Sequence, residues 1–571
     1  MRVLTAFARW LLSWIGFGFR RLARTLLGPR RVDVVRLRLE GKLAEGDVSP
    51  TPFWWRWEKR IYLLSVLELF DRAGADPRVS AVLIEPSGLR AGWATLQTLR
   101  RAILRLKERG KKVVVYLEEG DNGLAYLASA ADRVVMAPAG MLQLTGLRAE
   151  VLFLAGALER ARVEPEFVRL GEYKSAVEPF TRTSLSPPAR ESLDAILDDL
   201  YGQLVTGLVE GRGLAPERVQ ALIDTGPHRA PEAKEAGLVD ENLYEDQLPE
   251  YLATLLGRPG VEPPVVDAPT FLRYATALPP PGAQVPFPRV ALIVAEGVIR
   301  TGRARPSQLG RGVFSSSFAE AVRHAADNDG LSAIILRVDS PGGSGLASDL
   351  LWREVRRARE KKPVIVSMGD VAASGGYYLS MPSDWILAEP ATLTGSIGVI
   401  AGKFSLKGLY ERIGLAKETL DRGARAGAHS DYRPFTPEER EKLEAEVRAY
   451  YDDFVGKAAE GRGLGIEEME AVARGRVWTG QQALSHRLVD ELGGIVEAIA
   501  VAKKRAGIPS AQPVSIEVLP RALPSFLAGL SWNPLRALPA ALRDVVDLAE
   551  TLGGFREGEL LALLPFKIDI N

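Results

Sequence analysis

The sequence predicts an α/β protein made of duplicated domains, each a mostly parallel sheet with flanking helices. Three observations lead there. Short apolar runs alternate with helical patterns. The two halves of the chain repeat each other. A proline-rich stretch stands between them.

The alternation is clearest in the second half. Residues 333–338 read as a buried strand and 346–360 as a helix. Residues 364–366 read as a strand, 375–381 as a helix and 385–388 as a strand again. Successive strands joined through helices run parallel, because the crossover returns the chain to the same end of the sheet.

The repeat appears as ordered matches at offsets of 250 or 252 residues. Residues 79–84 read like 331–336, 111–115 like 361–365, and 158–160 like 410–412. Gly211-Arg212-Gly213-Leu214 recurs as Gly461-Arg462-Gly463-Leu464, and Leu238-Val239-Asp240-Glu241 as Leu488-Val489-Asp490-Glu491. Gene duplication is the simplest account. Leu278-Pro279-Pro280-Pro281-Gly282 and Pro286-Phe287-Pro288 form a stiff linker. The expected organisation is an N-terminal segment 1–31, a first repeat domain 32–270, a linker 271–288, a second repeat domain 289–508 and a tail 509–571. The tail carries a strand-like run at 515–519 and apolar helical patterns broken by proline. It reads as an appendage or a subunit contact.

Composition narrows the chemistry. The 571 residues carry a formal net charge of +1, with no basic excess of the kind a nucleic-acid binder shows. There is no cysteine, which excludes disulfides, thiolate metal sites and a cysteine nucleophile. The N-terminal segment is rich in Leu, Phe and Trp but carries Arg9, Arg20, Arg21 and Arg24. Its longest uncharged run, residues 10–19, is about half of the ~20 residues a bilayer span needs. It suits a helix lying in a membrane interface; an amphipathic helix packed on protein and a true span are the alternatives.

Ser374 lies in Gly369-Asp370-Val371-Ala372-Ala373-Ser374-Gly375-Gly376-Tyr377-Tyr378, between a strand and a helix. Unpaired N–H groups at a helix start favour a developing oxyanion, which makes the Gly375 amide a candidate donor. An ordinary N-cap serine is the plain alternative. Asp339-Ser340-Pro341-Gly342-Gly343-Ser344-Gly345 ends the preceding buried strand. Its glycines let backbone approach a ligand and supply a second donor, or simply make a tight turn. It is not a P-loop, since the Gly-Lys-Ser/Thr ending is missing.

Lys174 lies in Gly171-Glu172-Tyr173-Lys174-Ser175-Ala176-Val177-Glu178-Pro179-Phe180. A lysine acts as general base only when neutral, so burial must bring its pKa well below about 10.4. Aligning the halves sets Ser374 opposite Asn122 and Lys174 opposite Ala426. Each half lacks what the other keeps, as expected of one composite site. Ser396, in Thr394-Gly395-Ser396-Ile397-Gly398, is a third candidate, either holding the lysine amine or serving as a turn residue. The histidines His228, His324, His429 and His486 lie in no nucleophile-elbow or His-Glu-x-x-His context. His429 reads as a surface or lid residue.

These segments, in this order, strongly resemble the signal peptide peptidase A family in its long duplicated form, over about residues 50 to 505. The resemblance implies a Clp-protease/crotonase-like fold and a serine endopeptidase with a Ser-Lys dyad. It carries the nucleophile to Ser374, the base to Lys174, the lysine's partner to Ser396, and the oxyanion donors to Gly375 and Gly342 or Gly343. It implies no metal, nucleotide or other cofactor. It further implies signal peptides as substrates and a homotetrameric bowl associated with the cell membrane. Family members usually carry a clear N-terminal span, and residues 1–31 depart from that. The side of the membrane, and a soluble cytoplasmic form, therefore stay open. Rival readings are a crotonase-like acyl-CoA enzyme and a non-catalytic membrane scaffold.

Overall fold

The computed structural model describes residues 31–45, 61–275, 287–304, 312–519 and 559–563. The N-terminal segment, up to residue 30, lies outside them.

Each half forms the expected α/β unit. In the first, strand Val34–Ala44 pairs in parallel with Ala81–Arg90 on one side and Val265–Asp267 on the other. Lys112–Leu117, Arg133–Met136 and Glu241–Asn242 extend the sheet, all parallel. Val113, Val114 and Val115 are wholly buried, because helices cover both faces of such a sheet. In the second half, Arg289–Glu296 pairs in parallel with Leu331–Ser340 and with Ser515–Leu519. Val364–Ala373, Trp385–Ala388 and Glu491–Leu492 follow in the same order. Residues 515–519, read from sequence as part of the tail, thus hold the edge position that Val265–Asp267 holds in the first unit.

The duplicated helices share the same end signals. Pro187–Arg212 starts at N-cap Ser186, whose hydroxyl accepts the Ala189 N–H, and ends at Gly213 in the left-handed region. Pro437–Arg462 starts at Thr436, which accepts the Glu439 N–H, and ends at left-handed Gly463. A hydroxyl N-cap, proline in the first turn and glycine after the last turn satisfy the otherwise unpaired end groups.

The two units interlock, among other places, at a helix and at a shared sheet. Helix Trp93–Glu108 lies against the second sheet. There the Thr95 N–H and hydroxyl donate to Asp370 at 2.8 and 2.9 Å, and Arg101 pairs with Glu389. A third sheet also joins them. Its order is Val313–Phe314, Ile299–Arg300, Gly342–Ser344, Leu561–Leu563, Val399–Ser405, Glu164–Leu170. Glu164–Leu170 of the first unit runs antiparallel to Val399–Ser405 of the second, from Leu170–Val399 to Glu164–Ser405. That pairing delivers the segment after Leu170 into the second unit. Among the described residues, no helix is long and apolar enough to cross a membrane.

Candidate active site

Ser374 stands where strand Val364–Ala373 gives way to helix Gly375–Ser380. Its backbone is strained, with φ 55° and ψ −111°, a region a non-glycine residue seldom enters. Two hydrogen bonds hold it there. Its N–H donates to Gly395 O at 2.8 Å, and its carbonyl accepts the Tyr378 N–H at 2.8 Å. The helix start needs small residues because it abuts the glycine loop. A Cβ on Gly376 would lie 2.7 Å from Ser340 O, and one on Gly375 would lie 2.5 Å from Ser348 Oγ.

The loop itself is tied inward. Ser340 Oγ donates to Gly297 O at 2.7 Å and accepts the Gly342 N–H at 3.2 Å. Gly342 and Gly343 have φ of 99° and 155°. A Cβ on Gly342 would stand 2.7 Å from Gly375 N, so the two glycines back onto one another.

Lys174 arrives from the other unit. Gly171, at φ 100°, turns the chain out of strand Glu164–Leu170, and Tyr173 N donates to Arg474 O at 2.9 Å. Lys174 Nζ then lies 2.7 Å from Ser374 Oγ, 2.9 Å from Ser396 O and 3.0 Å from Ser396 Oγ. Lys174, Ser374 and Ser396 are all 0% exposed. Burial pushes the Lys174 ammonium well below the ordinary lysine range. Its neighbours are two hydroxyls and a carbonyl, none of which compensates a full positive charge.

The structure therefore brings Lys174, Ser374 and Ser396 together, with Gly375, Gly342 and Gly343 alongside. The histidines sit elsewhere. His228 Nε2 bonds Leu222 O, His486 packs at a tilt against Trp478, and His324 and His429 are exposed. In the first unit Asn122 opens helix Asn122–Ala128, the counterpart of Gly375–Ser380. Its carboxamide accepts from Thr145 N and Gly146 N and donates to Gly146 O. These bonds consume the side chain where the second unit presents Ser374 to a lysine.

Three supporting features escape sequence reading. Gly475 and Gly398 flank the lysine, and a Cβ on them would lie 2.6 Å from Lys174 Cβ and 3.1 Å from Lys174 Cδ. Glu178 braces the segment. It accepts from Arg169 at 2.7 Å, from the Ser186 N–H at 3.0 Å and from the Ser186 hydroxyl at 2.6 Å. Although burial pushes its carboxyl up, the Ser186 and Arg169 bonds hold it below the usual range. Glu178 and Gly398 lie inside the segments around Lys174 and Ser396, but nothing local in the sequence marks these roles.

Comparison with known proteins matches the model of Peptidase family S49 twice, at residues 105–257 and 356–509. The chain belongs to Peptidase family S49. Its two matches fall one in each α/β unit, so the duplicated fold is that of a serine-type peptidase. Serine protease SPPA, chloroplastic, of Arabidopsis thaliana is 37% identical, over 91% of this chain and 76% of that protein. Protease 4 of Haemophilus influenzae is 30% identical over 82% of this chain and 76% of that protein. A putative signal peptide peptidase SppA of Enterococcus faecium is 30% identical over 42% of this chain and 70% of that protein. Among solved structures, a membrane-bound stomatin-specific protease covers 40% of this chain and 97% of its own at 15% identity, with a TM-score of 0.26.

Proposed function

We propose that this S49 peptidase is a Ser-Lys endopeptidase that cuts signal peptides and other apolar membrane-derived peptides through an acyl-enzyme. The observation that carries the reading is the buried 2.7 Å contact between Lys174 Nζ and Ser374 Oγ. A neutral amine has two N–H donors and one lone pair. The Ser396 carbonyl can only accept, so one N–H points there, and Ser396 Oγ takes the second. The lone pair then faces the Ser374 hydroxyl, which is the arrangement a general base requires.

In the first step Ser374 Oγ attacks the peptide carbonyl and its proton passes to Lys174 Nζ. The Gly375 amide, at the start of a helix, stabilises the oxyanion. Gly343 is the better second donor, because the Gly342 N–H is already engaged by Ser340 Oγ. The lysine returns the proton to the leaving amine, then activates the water that releases the acyl group. Signal peptides are favoured as substrates by the Enterococcus faecium relative, a putative signal peptide peptidase, and by the apolar cluster of Ala176, Val177 and Ile400 next to the lysine segment. Residues 1–31 at a membrane surface and a homotetrameric assembly complete the proposal.

The test is hydrolysis of an apolar peptide by Lys174→Ala and Ser374→Ala, together with labelling by a fluorophosphonate probe. Loss of cleavage by ~10³-fold or more in both, with labelling lost in Ser374→Ala, is expected. Near-normal cleavage by Lys174→Ala in a folded protein would sink the dyad. An acyl-CoA enzyme or a scaffold would leave Ser374 unlabelled.

A further inference from the structure

The helix that follows Ser374 is held by a cluster of charged and phenolic side chains that the reaction steps do not use. Tyr378 stands four residues past Ser374, and its N–H donates to Ser374 O at 2.8 Å. Its side chain is wholly buried. The phenol oxygen lies 3.1 Å from Asp349 Oδ1 and 3.0 Å from Asp453 Oδ2. Lys457 Nζ donates to the same two oxygens at 2.5 and 2.6 Å and to the phenol oxygen at 3.2 Å. One O–H serves one carboxylate at a time, so the ammonium satisfies the other. Burial first, then Tyr450, Asp349 and Asp453, push the Tyr378 phenol up, which keeps it a donor.

These groups tie three helices together. Asp349 belongs to helix Gly345–Arg359, which starts directly after the glycine loop. Asp453 and Lys457 belong to helix Pro437–Arg462. Tyr450, on that same long helix, donates to Gly345 O at 2.7 Å. The rings of Tyr450 and Phe454 pack on Tyr378, with centroids 5.9 and 4.4 Å away. Next to Asp349, Ser348 touches the start of the Ser374 helix, since a Cβ on Gly375 would lie 2.5 Å from its Oγ. The helix that carries the Gly375 amide is therefore joined to the helix behind the glycine loop at two points, Gly375 with Ser348 and Tyr378 with Asp349.

The first unit separates this cluster from the needs of the fold. The repeat offsets of 252 and 250 set Tyr378 opposite Tyr126, Asp349 opposite Gln97, Asp453 opposite Gln203 and Lys457 opposite Gly207. There the tyrosine is kept and every charge is gone. Gln97 Nε2 donates to Gln203 Oε1 at 2.7 Å. A Cβ on Gly207 would lie 2.2 Å from Tyr126 Cε2, so the ring takes the space a lysine would need. That unit folds on the same plan and carries Asn122 where the second carries Ser374. The charges accompany the nucleophile, not the fold. We propose that Tyr378, held by Asp349, Asp453 and Lys457, is a positioning residue for the oxyanion hole, fixing the Gly375 amide against the Gly343 amide. The inference rests on the peptidase reading of Ser374. Strain gives the clamp its purpose. Ser374 keeps φ 55° only where its surroundings over-determine it, and a relaxed Ser374 would turn the Gly375 N–H away. Donors aimed at a charge that develops only in the transition state act on kcat and leave substrate binding alone.

Two variants of the full-length protein test this. One is Tyr378→Phe. The other combines Asp349→Gln, Asp453→Gln and Lys457→Gly, which installs the side chains of the first unit. Both are compared with wild type, Ser374→Ala and Tyr126→Phe. The readings are kcat and KM for an apolar peptide, the Ki of an apolar peptide aldehyde, whose adduct with Ser374 places an oxyanion in the hole, and the pH profile of kcat/KM. Both variants should lose kcat by about tenfold to 10²-fold with KM little changed. The aldehyde Ki should rise by the same factor. The acid limb of the profile should stay in place, because Lys174 is untouched, and Tyr126→Phe should match wild type. Wild-type kcat and Ki in folded Tyr378→Phe would overturn the inference. So would a shifted acid limb, or a rise in KM that accounts for the whole loss, since the effect would then belong to Lys174 or to substrate binding. If Tyr378→Phe does not fold, the triple variant and Asp453→Asn decide by the same readings. Failure of all of them to fold would make the cluster structural and overturn the inference. If Ser374→Ala keeps activity, the reading of the site fails. If Ser374→Ala is inert while the cluster variants match wild type, only the positioning inference fails.

Discussion

Gly475 lies so close to Lys174 that a Cβ on the glycine would stand 2.6 Å from both the backbone N and the Cβ of the lysine. Gly475 also adopts φ 80°, which disfavours any other residue. The Arg474–Gly475 turn is therefore the wall against which the lysine is set. Gly475→Ala should push Lys174 away from Ser374 Oγ. A displacement of about 1 Å at a catalytic group costs roughly 10²-fold in rate. The expected outcome is a kcat lower by about that factor with KM little changed, read from steady-state hydrolysis. Wild-type kcat in a folded variant would show that this wall does not position the base.

Ser396 holds the lysine through two atoms, its hydroxyl and its carbonyl. Ser396→Ala removes the first and keeps the second. The amine keeps one anchor, so kcat should fall about tenfold, well short of the ~10³-fold expected of Lys174→Ala. Ser396→Thr should restore part of the loss, because it returns a hydroxyl at the same position. A loss equal to that of Lys174→Ala would instead make Ser396 indispensable to proton transfer.

The fold is legible in the sequence where local chemistry is repeated. Ser186-Pro187 with Gly213, and Thr436-Pro437 with Gly463, punctuate both long helices in the same way. Strand Val364–Ala373 is seen only in part, because Ser367, Gly369 and Asp370 interrupt its apolar run. Its far end is set by pairing of Ala372 with Ser340 and Ala373 with Gly395. The pairing of Lys174 with Ser374 shows in sequence only through complementary loss, with Asn122 and Ala426 at the equivalent positions. Gly475 and Gly398 are silent, since close approach between distant segments leaves no local pattern. The tail strand is silent for another reason. A four-residue apolar run such as Leu560-Leu561-Ala562-Leu563 fits helix and strand equally well.

Asp339 and Asp370 make stability depend on pH. Burial, then the Asp370 charge, pushes the Asp339 carboxyl up to about 8. Its folded-state value thus lies above the unfolded value near 3.9. Between those values the folded protein binds the extra proton, so stability declines as pH rises from about 4 to 8. Asp339→Asn keeps an oxygen for the Val371 N–H, which donates to Asp339 Oδ1 at 2.9 Å, and removes the titration. The variant should flatten the fall in Tm across that window, gaining most near pH 8. An unchanged pH slope would mean that another group carries it.

Lys174 tilts the same balance in the opposite direction. Burial lowers its pKa in the folded protein, whereas the unfolded chain keeps a value near 10.4. Between the two values the unfolded chain holds a proton that the folded one lacks. The buried lysine therefore destabilises the fold at neutral pH, and this penalty fades as pH rises toward 10.4. Lys174→Met keeps an unbranched side chain and removes the amine. It should unfold at a higher temperature than wild type at pH 7, with the difference shrinking steadily toward pH 10, while cleaving no peptide. In wild type the same lowered pKa should appear as the acid limb of kcat/KM, with activity rising as Lys174 loses its proton. A variant less stable than wild type at pH 7 would mean that the hydrogen bonds to Ser374 and Ser396 outweigh the desolvation of the amine. The lysine would then be a structural anchor as well as a base.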